Sequence, residues 1–151
     1  MPRIETVDVQ NPPADAAPLF GALSQKLGRV PNIYATLAHA PAVLKGVLEA
    51  SATLGETSLP AALREQIALA VGGANRCNYC AAAHTAIGKM SGLSDDQTSA
   101  ALSGSADDAR AQAALDFARA ILEREGFVTD DQLAAVRDAG YSEQEIVEII
   151  A

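Results

Sequence analysis

The sequence predicts an all-α fold in one compact domain, and three observations support this. Residues 19–27, 43–54 and 115–122 carry apolar side chains at spacings of three and four, and no stretch shows sustained alternation of apolar and polar residues. Glycines stand where such helices should end: Gly28, Gly55, Gly92, Gly126 and Gly140. The chain has 151 residues and no linker rich in Pro, Gly or Ser, so we expect a single domain.

The N-terminal residues differ from the rest of the chain. Three prolines in residues 6–18 prevent a helix from extending through this stretch. We therefore expect residues 1–17 to form an extended N-terminal arm and residues 18–151 to form the helical domain.

The following helices have recognisable starts. Pro41 and Pro60 suit first helical turns. We expect the helix that opens at Pro60 to end near Gly72 and Gly73, and Asn75 to cap the next helix. Three late helices are predicted to begin with capping boxes, in which a Ser or Thr is followed three residues later by Gln or Glu: Ser94 with Gln97, Thr129 with Gln132, and Ser142 with Glu145.

Charge and composition limit the function. The chain has 11 Lys and Arg against 19 Asp and Glu, a net charge of -8, which disfavours nucleic acid and anionic membranes as partners. The first residues lack the apolar core of a signal peptide, and no apolar run approaches the length of a membrane span. We therefore expect a cytoplasmic protein that binds neither nucleic acid nor membrane.

The chemistry-bearing residues are concentrated in one short stretch. Cys77, Cys80 and His84 share one face of a helix, and a thiolate is favoured at Cys77 because the first turn exposes its N–H groups. His84 lies one turn after Cys80 and can take the proton of that thiol, which makes Cys80 the better candidate to attack a substrate and Cys77 the resolving thiol. Glu65, on the preceding helix, is expected to orient His84.

These residues resemble the alkylhydroperoxidase D-like branch of the carboxymuconolactone decarboxylase family. The resemblance spans roughly residues 18 to 125, and its matching segments are 28–34, 39–41, 63–71 and 75–84. It implies a compact all-helical domain with the C-x-x-C at the N-terminal end of a core helix. It also implies homo-oligomers, either trimers or hexamers, and thiol-dependent reduction of hydroperoxides without a cofactor.

The resemblance further implies a role for each residue of the motif. Cys80 would become the sulfenic acid, Cys77 would close the disulfide, and Glu65 with His84 would relay protons. The implied reductant is a dithiol such as dihydrolipoamide, thioredoxin or a glutaredoxin-like protein.

The sequence departs from the family pattern at one position. The best-known hydroperoxidase member has a second histidine directly before the later cysteine, where this chain has Tyr79. A phenol donates a hydrogen bond but does not act as a base at neutral pH. We expect Tyr79 and Tyr34 to line the pocket.

Three other functions are compatible with the same residues. The cysteine pair would also serve a disulfide oxidoreductase without peroxidase activity. The family includes lactone decarboxylases, although that branch works without the two cysteines. Cys77, Cys80 and His84 would supply three zinc ligands, with a fourth from Glu65, His39 or another chain, in a zinc-binding interaction protein.

Overall fold

The structure is a computed structural model that describes residues 3–151, and every regular element within that range is an α-helix. The predicted all-α fold is therefore confirmed. None of the described helices is long and apolar enough to cross a membrane. The helices are α1 (Ala17–Leu27), α2 (Asn32–Leu37), α3 (Pro41–Leu54), α4 (Ala61–Ala74), α5 (Asn78–Met90), α6 (Asp95–Leu102), α7 (Ala109–Glu123), α8 (Asp130–Asp138) and α9 (Glu143–Ile150).

The described chain forms two compact units, which meet in sequence between Glu56 and Thr57. The first unit contains α1 to α3, and the second contains α4 to α9. The predicted division into an arm over residues 1–17 and a domain over residues 18–151 stays a prediction.

The first unit has its own small core under α1, α2 and α3. The segment before α1 lies against α2, because the Val7 N–H donates to the carbonyl of Ala35 at 3.2 Å. The ring Nε2 of His39 lies 2.8 Å from the carbonyl oxygen of Glu5. The buried side chains of this core are Ala16, Phe20, Leu23, Val30, Ala35, Ala38 and Leu44.

The second unit is built around α4, which packs against α5, α6 and α7. Helices α8 and α9 pack against each other and against α7. Burial of the apolar faces of these helices is the main stabilising contribution. The largest fully buried side chains of this unit are Leu69, Leu115 and Val136.

The late helix starts match the sequence. Capping boxes are present at all three predicted positions, and each satisfies two backbone N–H groups that the first helical turn leaves without partners. Pro41 is the first residue of α3, as predicted. The same prediction for Pro60 is wrong, because Pro60 is the extended N-cap of α4, which begins at Ala61.

Two predictions around the centre of the chain are wrong. Helix α4 runs through Gly72 and Gly73 to Ala74. The two glycines do not end the helix; they allow neighbouring residues to pack closely against it. Asn75 does not begin the next helix. It is the C-terminal cap of α4, and Cys77 is the N-cap of α5.

Candidate functional site

The turn between α4 and α5 places the cysteine pair. The Arg76 N–H donates to the carbonyl of Gly73 at 3.0 Å, and the Cys77 N–H donates to the carbonyl of Gly72 at 2.9 Å. This pair of hydrogen bonds is the Schellman ending of α4, and it puts Arg76 in the left-handed region with φ 53°. The chain reverses within a few residues, so Cys77 stands at the start of α5.

Close packing of α5 against α4 depends on Gly72. A Cβ atom at Gly72 would lie 3.1 Å from the Cβ of Cys80, which is tighter than ordinary van der Waals contact. The glycine therefore lets the turn that carries Cys80 pack closely on α4. Further along, the buried Gly88 lies beside Glu65, so the two helices run antiparallel.

Cys77 and Cys80 are joined by a disulfide, with Cα atoms 5.3 Å apart. The sulfur of Cys77 also acts as the N-cap acceptor, because the Cys80 N–H donates to it at 3.2 Å. When the disulfide is reduced, the same N–H group and the helix dipole favour a negative charge on this sulfur. Both cysteines are only partly buried.

His84 and Glu65 meet across the interface of α4 and α5. The Nδ1 atom of His84 lies 2.8 Å from Oε2 of Glu65. The Glu65 side chain is 17% exposed and that of His84 is 34% exposed. A carboxylate only accepts hydrogen bonds, so Nδ1 carries the hydrogen and Nε2 is the nitrogen that is able to take up a proton. His84 follows Cys80 by one helical turn and shares its face of α5.

The two tyrosines lie in different units. Tyr79 is 48% exposed in the first turn of α5, between the two cysteines. Tyr34 is partly buried against the core of the first unit. That either ring lines a substrate pocket stays a prediction.

Two cavities lie elsewhere in the second unit, and neither is lined by the cysteines or by His84. The larger, of about 350 Å³, opens near the start of α4 and is bordered by Gln66, Arg110 and Tyr141. The smaller, of about 230 Å³, lies between the end of α4 and Arg119. Across residues 3–151, no group of three or more His, Cys, Asp or Glu side chains is arranged to hold a metal ion.

Sequence reasoning missed the backbone conformation of Arg76, the residue that precedes the cysteine pair. Its position before Cys77 is evident from the sequence, but its left-handed backbone is not, because glycine is the residue expected at that point of a Schellman ending. The sequence offered no signal for it, because Gly72 and Gly73 suggested that the helix ends before Arg76.

Comparisons with known proteins agree with this architecture. The model of the carboxymuconolactone decarboxylase family matches residues 38–124. No curated protein matches the chain significantly.

Several solved structures share the fold. A peroxidase-related protein from Silicibacter sp. TM1040 is 25% identical with a TM-score of 0.85, and the match covers 99% of this chain and 84% of that one. A peroxidase-related protein from Ralstonia eutropha JMP134, described as an alkylhydroperoxidase AhpD core, is 25% identical with a TM-score of 0.87, and the match covers 98% of this chain and 80% of that one.

The debrominase Bmp8, solved with 2,3,4-tribromopyrrole, is 21% identical with a TM-score of 0.81, and the match covers 99% of this chain and 81% of that one. At this identity the likeness concerns the fold alone. Since the family model covers more than half of the chain, the protein belongs to the carboxymuconolactone decarboxylase family, as one of its alkylhydroperoxidase D-like members.

Proposed function

We propose that this protein reduces hydroperoxides at the expense of a dithiol, through Cys77 and Cys80, with His84 and Glu65 as the proton relay. The observation that carries the proposal is the placement of the relay. His84, which is hydrogen-bonded to the Glu65 carboxylate, lies one helical turn after Cys80, on the same helix that Cys77 caps.

The proposed cycle begins with the reduced pair. The Cys80 thiolate attacks one oxygen of the hydroperoxide, the O–O bond breaks, and Cys80 becomes a sulfenic acid. The alkoxide that leaves takes a proton from the relay and departs as an alcohol, or as water when the substrate is hydrogen peroxide. Cys77 then attacks the sulfenic sulfur and water leaves. The product is the Cys77–Cys80 disulfide, the state that the structure describes.

A dithiol must then return two electrons and two protons to the disulfide. The candidates are dihydrolipoamide, thioredoxin and a glutaredoxin-like protein. A cytoplasmic homo-oligomer, either a trimer or a hexamer, belongs to the same proposal, and the apolar side chains exposed at Phe127, Val147 and Ile150 are consistent with association.

The test is stopped-flow reduction of hydrogen peroxide and of an alkyl hydroperoxide, with dithiothreitol as the reductant. The parent is compared with Cys80→Ser and His84→Ala. We expect Cys80→Ser to abolish turnover, and His84→Ala to slow it about a hundredfold because a positioned acid–base group is lost. Equal rates in all three proteins would reject the assignment.

Further measurements on the parent and on variants with Ser at each cysteine separate the alternative functions. A disulfide oxidoreductase would exchange with dithiols yet ignore both peroxides. A lactone decarboxylase would tolerate Ser at both cysteines. A zinc-binding protein would retain near-stoichiometric metal after purification and lose stability on treatment with a chelator.

A further inference from the structure

The residue that directly precedes the first cysteine in the sequence is positively charged, and its backbone conformation is one that favours glycine. Arg76 has φ 53°, and apart from Glu125 it is the only non-glycine residue with a positive φ among residues 3–151. At Gly28, which ends α1, and at Gly140 the chain uses glycine for the same backbone region. A side chain that is kept where glycine fits better is expected to contribute something that glycine cannot supply.

The side chain of Arg76 carries a positive charge that is exposed to solvent. Arg76 is exposed, and within the described part of the chain no carboxylate forms an ion pair with it. Four other cations of the second unit are paired, namely Lys89 with Asp95, Arg110 with Glu145, Arg119 with Glu123, and Arg137 with Glu143, whereas Arg124, like Arg76, forms no ion pair among the described residues. In a chain of net charge -8, Arg76 is therefore an exposed positive charge without an ion pair among the described residues, and it directly precedes Cys77 in the sequence.

We propose that Arg76 selects the reductant, and that this reductant is a dithiol that carries a carboxylate or another anionic group. The proposal rests on the proposed function, in which a dithiol resets the disulfide. The neighbour of Arg76 in sequence is Cys77, the resolving residue, whereas the relay for the peroxide lies further along α5 at His84. An exposed guanidinium at this end of the site attracts an anionic nucleophile and holds it in position.

The reaction by which the reductant resets the disulfide is an ordinary thiol–disulfide exchange. A thiolate of the reductant attacks Sγ of Cys77, the Cys77–Cys80 bond breaks, and Cys80 leaves as a thiolate one turn from His84. The second thiol of the reductant then attacks the first sulfur of the reductant, which is bonded to Cys77 in the mixed disulfide, and Cys77 is released as a thiolate. The reductant departs as a cyclic disulfide, and the protein has gained two electrons and two protons.

The test uses two dithiols that differ only in charge. Dihydrolipoate carries a carboxylate, and dihydrolipoamide carries a neutral amide in its place. The second-order rate constant for reduction of the Cys77–Cys80 disulfide is measured with each, without peroxide, by rapid alkylation and mass spectrometry. The proteins compared are the parent, Arg76→Gly, Arg76→Glu and the control Arg124→Gln, which removes an exposed positive charge after α7.

We expect the parent and Arg124→Gln to react with dihydrolipoate about threefold to tenfold faster than with dihydrolipoamide. Arg76→Gly should react with both at similar rates, and Arg76→Glu should prefer the neutral dithiol. The preference of the parent should shrink at high salt, because exposed charges are screened. A parent without a preference, or a preference that survives in Arg76→Gly, would overturn the proposal.

Two further measurements keep the result unambiguous. Glycine suits the left-handed backbone, so the thermal midpoint of Arg76→Gly should equal or exceed that of the parent. If Arg76 served only to stabilise the turn, that midpoint would fall while the preference between dithiols stayed unchanged. Peroxide turnover with neutral dithiothreitol tests the proposed function by itself, because failure there leaves the charge preference in the exchange reaction measurable.

Discussion

At the scale of single residues, the proposed relay depends on a hydrogen bond between two helices. Glu65 comes from α4 and His84 from α5, and their side chains meet at 2.8 Å. A carboxylate at Nδ1 keeps the imidazole in one orientation and stabilises its protonated form during proton transfer. In the proposed mechanism the two residues therefore act as one unit, in which Glu65 positions His84.

Replacement of Glu65 by Gln tests this unit. Glu65→Gln preserves the shape of the side chain but removes its charge, so we expect peroxide turnover to fall about tenfold to a hundredfold, while folding is retained. The pH profile of turnover should also change, which a purely structural role would not cause. The control is Asp138→Asn, which removes an exposed carboxylate at the end of α8. Unchanged rates and an unchanged profile in Glu65→Gln would contradict the relay.

At the scale of helices, glycine decides how closely α4 approaches its neighbours. A Cβ atom at Gly73 would fall well inside the contact distance of the carbonyl oxygen of Leu102, at the end of α6. A Cβ atom at Gly46, in the middle of α3, would meet no atom within 4 Å. The same residue type therefore serves close packing at one position and has no packing role at the other.

The two glycines are predicted to respond oppositely to alanine. Gly73→Ala should lower the free energy of unfolding by about 2 to 3 kcal/mol, since backbone atoms of α6 must shift. Gly46→Ala should raise it by about 0.5 to 1 kcal/mol, because alanine is the better helix former and no atom obstructs it. Urea denaturation followed by circular dichroism measures both changes. Similar effects at both positions would show that propensity alone governs them.

At the scale of the whole second unit, α9 is tied to the segment that precedes α4. The Glu148 carboxylate accepts hydrogen bonds from the backbone N–H groups of Ser58 and Leu59. It accepts another from the Ser58 hydroxyl, at 2.7 Å. Gln144 also donates to it at 2.9 Å. The hydrogen bonds from Gln144 and Ser58 lower the pKa of the Glu148 carboxyl from 4.5 to about 2.

Because of these hydrogen bonds, the free energy of unfolding is expected to depend on pH in the acid range. The pKa of Glu148 is lower in the folded state, so its contribution is complete above about pH 4.5 and is lost as the pH falls through about 2. The thermal midpoint of the parent should therefore be higher than that of Glu148→Gln at neutral pH. The two midpoints should converge as the pH falls from about 4.5 to about 2. The exposed control Glu125→Gln should follow the parent throughout. A difference that does not depend on pH would contradict the assignment.

Much of the fold was predictable, because its signals are local. The capping boxes at Ser94, Thr129 and Ser142 are contacts between residues three positions apart, so the sequence contains both partners side by side. The spacing of Cys77, Cys80 and His84 likewise lies within two helical turns. The extension of α4 through Gly72 and Gly73 was not predictable, because it follows from the approach of α5 and α6.

The sequence by itself determined the helical class, the starts of the three late helices and the family motif, since each of these depends on residues that lie close together in the chain. Only the tertiary structure decided that Glu65 meets His84, that Glu148 binds the segment before α4, and that Arg76 adopts a left-handed backbone beside the disulfide. The first two of these join residues that are distant in the sequence. The third depends on how two packed helices are joined, and local propensity favours glycine there.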